Sequence, residues 1–120
     1  MPAAQPDVQT FLPLTPAVFH VLLALVDADR HGYGIAKEVA ARTEDQVRLG
    51  PGTLYGTLTR MMDAGLVEER PRSGRATAGD ERRRYYRITS LGRDVARAEA
   101  RRLAALVDVA RAKALIVKGR

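Results

Sequence analysis

The apolar residues of this 120-residue chain change period twice, and that change limits its folds more than any other feature. From Pro16 to Gly65 they recur at helical spacing. Over residues 66–89 the pattern becomes extended, and from Ser90 the helical spacing returns. A chain of this length builds one domain around one modest core. With two Phe and no Trp, that core must be filled by Leu, Val, Ile, Ala and Met. Cys is absent, which excludes disulfides, Cys-ligated zinc and thiol nucleophiles together.

Local signals place the elements. Residues 1–10 hold Pro, Ala and Gln with few anchors and read as a flexible N-terminal arm. Thr15 then caps a first helix with Pro16 at its first position, and Phe19, Leu22, Leu23 and Val26 form its stripe to an end near Asp29. His31-Gly32-Tyr33-Gly34 opens a second helix that runs to about Thr43, with Tyr33 expected to plug the core. Gly50-Pro51-Gly52 turns the chain into a third helix. Its buried stripe is Leu54, Leu58, Met61 and Met62, and Gly65 stops it. Residues 66–70 and 84–89 are predicted strands, with Tyr86 and Ile88 facing inward. The polar, turn-prone residues 71–83 join them as a long hairpin tip. Thr89 caps a last helix expected to reach Val117.

The order helix, helix, helix, strand, strand, helix predicts a mainly α (α+β) fold. It is a winged helix-turn-helix of three helices plus a two-stranded β-hairpin wing over residues 11–89, followed by a long C-terminal dimerisation helix over residues 90–120. In that arrangement the third helix is offered to the DNA major groove. Charge agrees. Residues 1–69 hold 5 basic against 9 acidic side chains, whereas residues 70–120 hold 15 against 5. Such asymmetry suits a polyanionic partner.

Five stretches, in order from residue 14 to residue 92, carry a family resemblance. They are Leu14-Thr15-Pro16, His31-Gly32-Tyr33-Gly34-Ile35, Gly50-Pro51-Gly52-Thr53-Leu54-Tyr55, Gly65-Leu66-Val67 and the run from Arg83-Arg84-Tyr85-Tyr86 to Leu91-Gly92. Together they resemble the PadR family of transcriptional regulators. The resemblance implies a homodimeric repressor of double-stranded DNA, often released by a small-molecule effector, with the C-terminal helix acting in dimerisation.

The same elements supply candidate site residues. If the apolar stripe of the third helix faces inward, Thr53, Gly56, Thr57, Arg60 and Asp63 face outward. The threonine hydroxyls suit phosphate or base edges, Arg60 a guanine or a phosphate, and Gly56 leaves room for close approach. Tyr55 is divided between core and phosphate contact. Arg72, Arg75, Arg82, Arg83 and Arg84 on or beside the wing suit phosphate oxygens. Along the last helix Leu103, Leu106, Val107, Ala110, Ala114 and Val117 step close to a coiled-coil stripe. One small domain cannot cover so long a stripe, so a partner chain is expected there, with Leu12 and Leu14 packing on the partner helix. A two-fold dimer then asks for an inverted-repeat site.

No catalytic constellation stands out, and no metal or cofactor is expected. His20 and His31 are far apart in sequence, HExxH and Ser-centred elbow patterns are missing, and His31 reads as a structural helix-opening residue. No apolar run reaches the roughly 18 residues of a membrane span, and the first residues lack a secretory pattern, so a cytoplasmic protein is expected. Two other classes stay open: a nonspecific architectural nucleic-acid-binding module, and a winged-helix module whose basic hairpin touches acidic protein.

Overall fold

Thr15 accepts a hydrogen bond from the Val18 amide, and Pro16 holds the first position of helix α1 (Pro16–Val26). The structure is a computed structural model that describes residues 7–70 and 84–117. A short 3-10 helix (Val8–Phe11) precedes α1. Then come β1 (Arg30–His31), α2 (Gly32–Arg42), α3 (Pro51–Asp63), β2 (Val67–Arg70), β3 (Tyr85–Ile88) and α4 (Ser90–Ala112). The three strands form one antiparallel sheet in the order β1-β3-β2, with Val67 opposite Ile88 and Arg70 opposite Tyr85. The expected winged-helix order is present, with a two-residue strand added. Among the described residues no helix is long and apolar enough to cross a membrane.

The core lies where α1, α2, α3, the first half of α4 and the sheet meet. Leu22, Leu25, Ile35, Val39, Leu58, Met61 and Val95 are fully buried there. Tyr86 and Ile88 point into it as the alternation of β3 requires. Tyr33 does not. The buried residues of α2 are Gly32, Ile35 and Val39, spaced by three and four. Tyr33 falls one step off that stripe and is 69% exposed, which corrects its expected place in the core. His31 caps α2 instead, its Nδ1 accepting the Gly34 amide at 2.9 Å.

α1 stops at Val26, three residues before the expected end. Arg30 Nε donates to the Ala24 carbonyl at 2.7 Å and Arg93 donates to the Val26 carbonyl at 3.1 Å. Both arginines satisfy carbonyls that a longer helix would have used itself.

The junction from wing to α4 is tightly bonded. Thr89 Oγ1 donates toward the Gly65 and Leu66 carbonyls, at 2.6 and 3.0 Å, and accepts the Gly92 amide at 3.0 Å. Gly65 reaches this point from the end of α3 through a left-handed turn (φ 81°), the stop expected of it. Gly92 packs directly on the Leu66 backbone, just before β2. A Cβ there would collide with the Leu66 carbonyl and lie 2.8 Å from Ile88 Cγ1.

The N-terminal segment is held by a buried acid. Glu99 on α4 is 2% exposed and accepts from the Leu14 amide at 3.0 Å and from Arg102 at 2.6 Å. Leu12 and Leu14 are half-buried against this chain's own core, so the part of each left exposed is what a partner helix could cover. The Leu14–Glu99 bond fixes them there.

α4 ends at Ala112, not near Val117. Ala114 turns left-handed (φ 64°), with its amide bonded to the Arg111 carbonyl and the Leu115 amide to the Ala110 carbonyl. This turn satisfies the last carbonyls and diverts the chain. Ala114 and Val117 therefore do not continue the helical stripe of Leu103, Leu106, Val107 and Ala110.

Two measurements check this account. Gly92→Ala is expected to cost about 3 kcal/mol, because the new methyl meets backbone that cannot yield; chemical denaturation reads the loss. The second concerns acid. Arg102, with help from the Leu14 amide, holds the Glu99 carboxyl below its ordinary 4.5, against the opposing effect of burial. The folded value is the lower one, so this stabilisation is present above about pH 4.5 and is lost as pH falls through the folded value. Glu99→Gln should lower the melting temperature at neutral pH and flatten its fall in acid.

Candidate nucleic-acid interface

Helix α3 has one face in the core and one bare face. Leu54, Thr57, Leu58 and Met61 are buried, while Gly52, Thr53, Thr59, Arg60 and Asp63 are exposed. Thr57 is 1% exposed, which corrects its expected place on the outward face. It lies three residues after Leu54 and four before Met61, on the same side as both. The residue that faces outward in its stead is Thr59. Gly52, Gly56, Thr59 and Asp63 step by four, three and four, the helical repeat that would have revealed Thr59 from sequence.

The first half of that face is open. A Cβ on Gly52 would meet nothing within 4 Å, and one on Gly56 would meet only the Arg60 guanidinium at 3.5 Å. Arg60 thus lies back along the helix across Gly56, with a 3.4 Å hydrogen bond to Thr57 Oγ1. Gly50 caps the helix without a side-chain hydrogen bond, and Pro51 sets its first turn. The free amides of that turn are the kind that bind phosphate oxygens. Thr53 and Thr59 add hydroxyls, and Thr59 Oγ1 donates to the Tyr55 carbonyl at 2.9 Å in the meantime.

Tyr55 occupies the flank of α3 that faces α2. It is 47% exposed, and its ring lies over Gly32 so closely that any Cβ there would collide with the phenol. Gly32 is therefore the position that lets Tyr55 settle between the two helices. On the sheet side, the hairpin arginines pair with carboxylates. Arg84 reaches Glu69 at 2.9 Å, Arg87 reaches Glu68 at 2.6 Å and Arg70 reaches Asp29 at 3.0 Å. Exposed pairs of this kind add little stability, so these guanidiniums can be exchanged onto phosphate at small cost. Arg72, Arg75, Arg82 and Arg83 lie outside the described residues. The structure thus brings Thr53, Tyr55, Gly56 and Arg60 onto one surface with Arg84 beside them, adds Thr59, and removes Thr57.

Among the described residues no group of three or more His, Asp or Glu could hold a metal ion.

Comparison with known proteins gives this surface its context. The chain is 39% identical over 94 residues to transcriptional regulator Rv3488 of Mycobacterium tuberculosis, covering 77% of each chain. It is 34% identical over 77 residues to an uncharacterised protein X of Lysinibacillus sphaericus, spanning 61% of this chain and 64% of that one. A crystal structure of a PadR family transcription regulator from Clostridium difficile superposes with a TM-score of 0.68 at 26% identity, over 81% of this chain and 96% of the other. Residues 21–98, which run from the middle of α1 into the first half of α4, match the family model of PadR-like transcriptional regulators, and the chain belongs to that family.

Proposed function

We propose that this regulator binds an inverted-repeat DNA operator in the cytoplasm as a homodimer and represses by occupying it. The observation that carries the proposal is the bare outward face of α3. A helix that exposes glycines and a threonine in its first turns, with Thr59 and Arg60 further along the same face, can lie deep in a major groove. Thr53, Thr59 and Arg60 then meet base edges or phosphate. Tyr55 and the first-turn amides meet phosphate, and the wing arginines Arg72, Arg75, Arg82, Arg83 and Arg84 grip the flanking backbone. The regulator works by binding, not by chemistry.

The second copy would dock on α4. Past Arg102 the apolar side of this helix is only partly covered by the described residues. Leu106 is 53% exposed, with Val107 and Val109 also exposed and Leu103 and Ala110 half-buried. Pairing this stripe with its twin covers it and sets two α3 helices about one DNA turn apart, ~34–36 Å. A small ligand that altered this spacing would release the operator.

Selection from a random DNA library, followed by footprinting, tests the reading directly. An inverted-repeat footprint is the expected result, and uniform affinity for all duplexes would refute sequence-specific binding. On the selected site, Arg60→Ala should narrow the preference over random DNA by about 1–3 kcal/mol. Arg83→Ala should weaken both duplexes alike and reduce the salt slope by about 1. Equal behaviour of the two variants on both duplexes would overturn this division of roles. For assembly, Leu106→Glu is expected to sediment as a monomer and to lose operator affinity, and an unchanged sedimentation coefficient would refute the α4 dimer.

A further inference from the structure

A cleft of about 500 Å³ lies between the start of α2, the Tyr55 flank of α3 and the β2–β3 hairpin. That volume is within the range of small-molecule sites, about 300–1,000 Å³. Three of the chain's four tyrosines line it, Tyr33, Tyr55 and Tyr86, together with His31 and Met62. Glu69 supplies a carboxylate, and Arg84 is the one lining cation among the described residues.

The chemistry of this lining selects for positive charge. Aromatic faces and a carboxylate both attract a cation. Tyr33 already shows the interaction on a small scale, with the Lys37 ammonium 5.9 Å from its ring centroid. His31 stacks against Tyr33 at 10° between planes, and its Nδ1 carries no proton because it accepts the Gly34 amide. Arg84 pairs with Glu69 at 2.9 Å from an exposed position, and the Glu69 charge still outweighs that of Arg84 at Tyr86. The Tyr86 hydroxyl reports this. Burial pushes its pKa up most, and Glu69 raises it further by more than Arg84 lowers it. A cation entering the cleft meets the electron-rich rings and can share Glu69 with Arg84, whose exposed pairing with it is weak.

We propose that this cleft binds a small organic cation, a substituted ammonium carried on an apolar body, with its charge against Glu69 and the tyrosine rings. Tyr55 and Thr59 line the cleft and also belong to the exposed surface of α3. Occupancy would therefore exclude DNA from part of that surface, a consequence that rests on the DNA-binding function proposed above.

The site is tested without DNA, on the full chain. The chain has no Trp, so tyrosine emission reports largely on this cleft. Benzyltrimethylammonium is titrated by emission and by calorimetry, with benzyl alcohol and benzoate as neutral and anionic comparators. The expected result is saturable binding of the ammonium ion, with both comparators weaker by about tenfold or more. Glu69→Gln should weaken the ammonium about tenfold. Tyr33→Ala, at an exposed position, should weaken it about threefold with an unchanged melting temperature. Benzoate binding as tightly as the ammonium ion, no saturable binding, or full affinity in Glu69→Gln would each overturn the site. Operator affinity with and without the ammonium ion, at matched ionic strength, then tests the overlap alone. A site that binds the cation but leaves operator affinity unchanged refutes the overlap. An absence of any DNA binding refutes the proposed function and leaves the site standing on its own titration.

Discussion

The Thr89 hydroxyl and the missing side chain of Gly92 together set where the wing, α3 and α4 lie relative to one another. The hydroxyl bridges the carbonyls that follow α3 and the amide of Gly92 in the first turn of α4. Gly92 lets α4 pass directly over the Leu66 backbone. One short stretch thus ends β3, closes the exit from α3 and starts the longest helix. The hydroxyl satisfies the part-buried Gly92 amide and reinforces the Leu66 carbonyl, which also accepts the Thr89 amide at 3.1 Å. The presentation of α3 depends on this junction, because its last turn and Gly65 are bonded into it.

α3 itself shows how one helix can serve two environments. Its inner stripe is apolar except for Thr57, and its outer stripe is polar or bare. The glycines at positions 52 and 56 weaken the helix intrinsically, since each gives up conformational freedom for no packing. The packing of Leu54, Leu58 and Met61 against α1, α2 and the sheet offsets that cost. The result is a rigid backbone with little side-chain bulk on its outer side, the shape that close approach to another polymer requires.

α4 divides in the same way along its length. Its first half is anchored by Val95, Ala96 and the Glu99–Arg102–Leu14 bonds. Its second half turns apolar side chains to the outside. The Tyr55–Gly32 contact gives the front of the molecule a comparable division, with a ring wedged between two helices and a cleft on its open side.

Periodicity and capping residues were enough to read the element order, the caps at Thr15 and Thr89, the stop at Gly65, and the inward direction of Tyr86 and Ile88. These are local effects, set by backbone bonding within a few residues and by which side of an element is apolar. The outward face of α3 was legible in part. Its helical repeat separates Thr59 from Thr57, although Thr53 and Thr57, one turn apart, suggest a shared outward face. Other features depended on contacts distant in sequence. β1 is two residues long and exists because β3 offers it an edge. Tyr33 lies outside because Gly32 and Ile35 take the inner positions. Leu14 packs on its own chain because Glu99, 85 residues away, accepts its amide. The cleft has walls from α2, α3 and the sheet. Local sequence specifies which side of each element is apolar; only the folded chain decides which elements meet, because that depends on how all the buried surfaces fit at once.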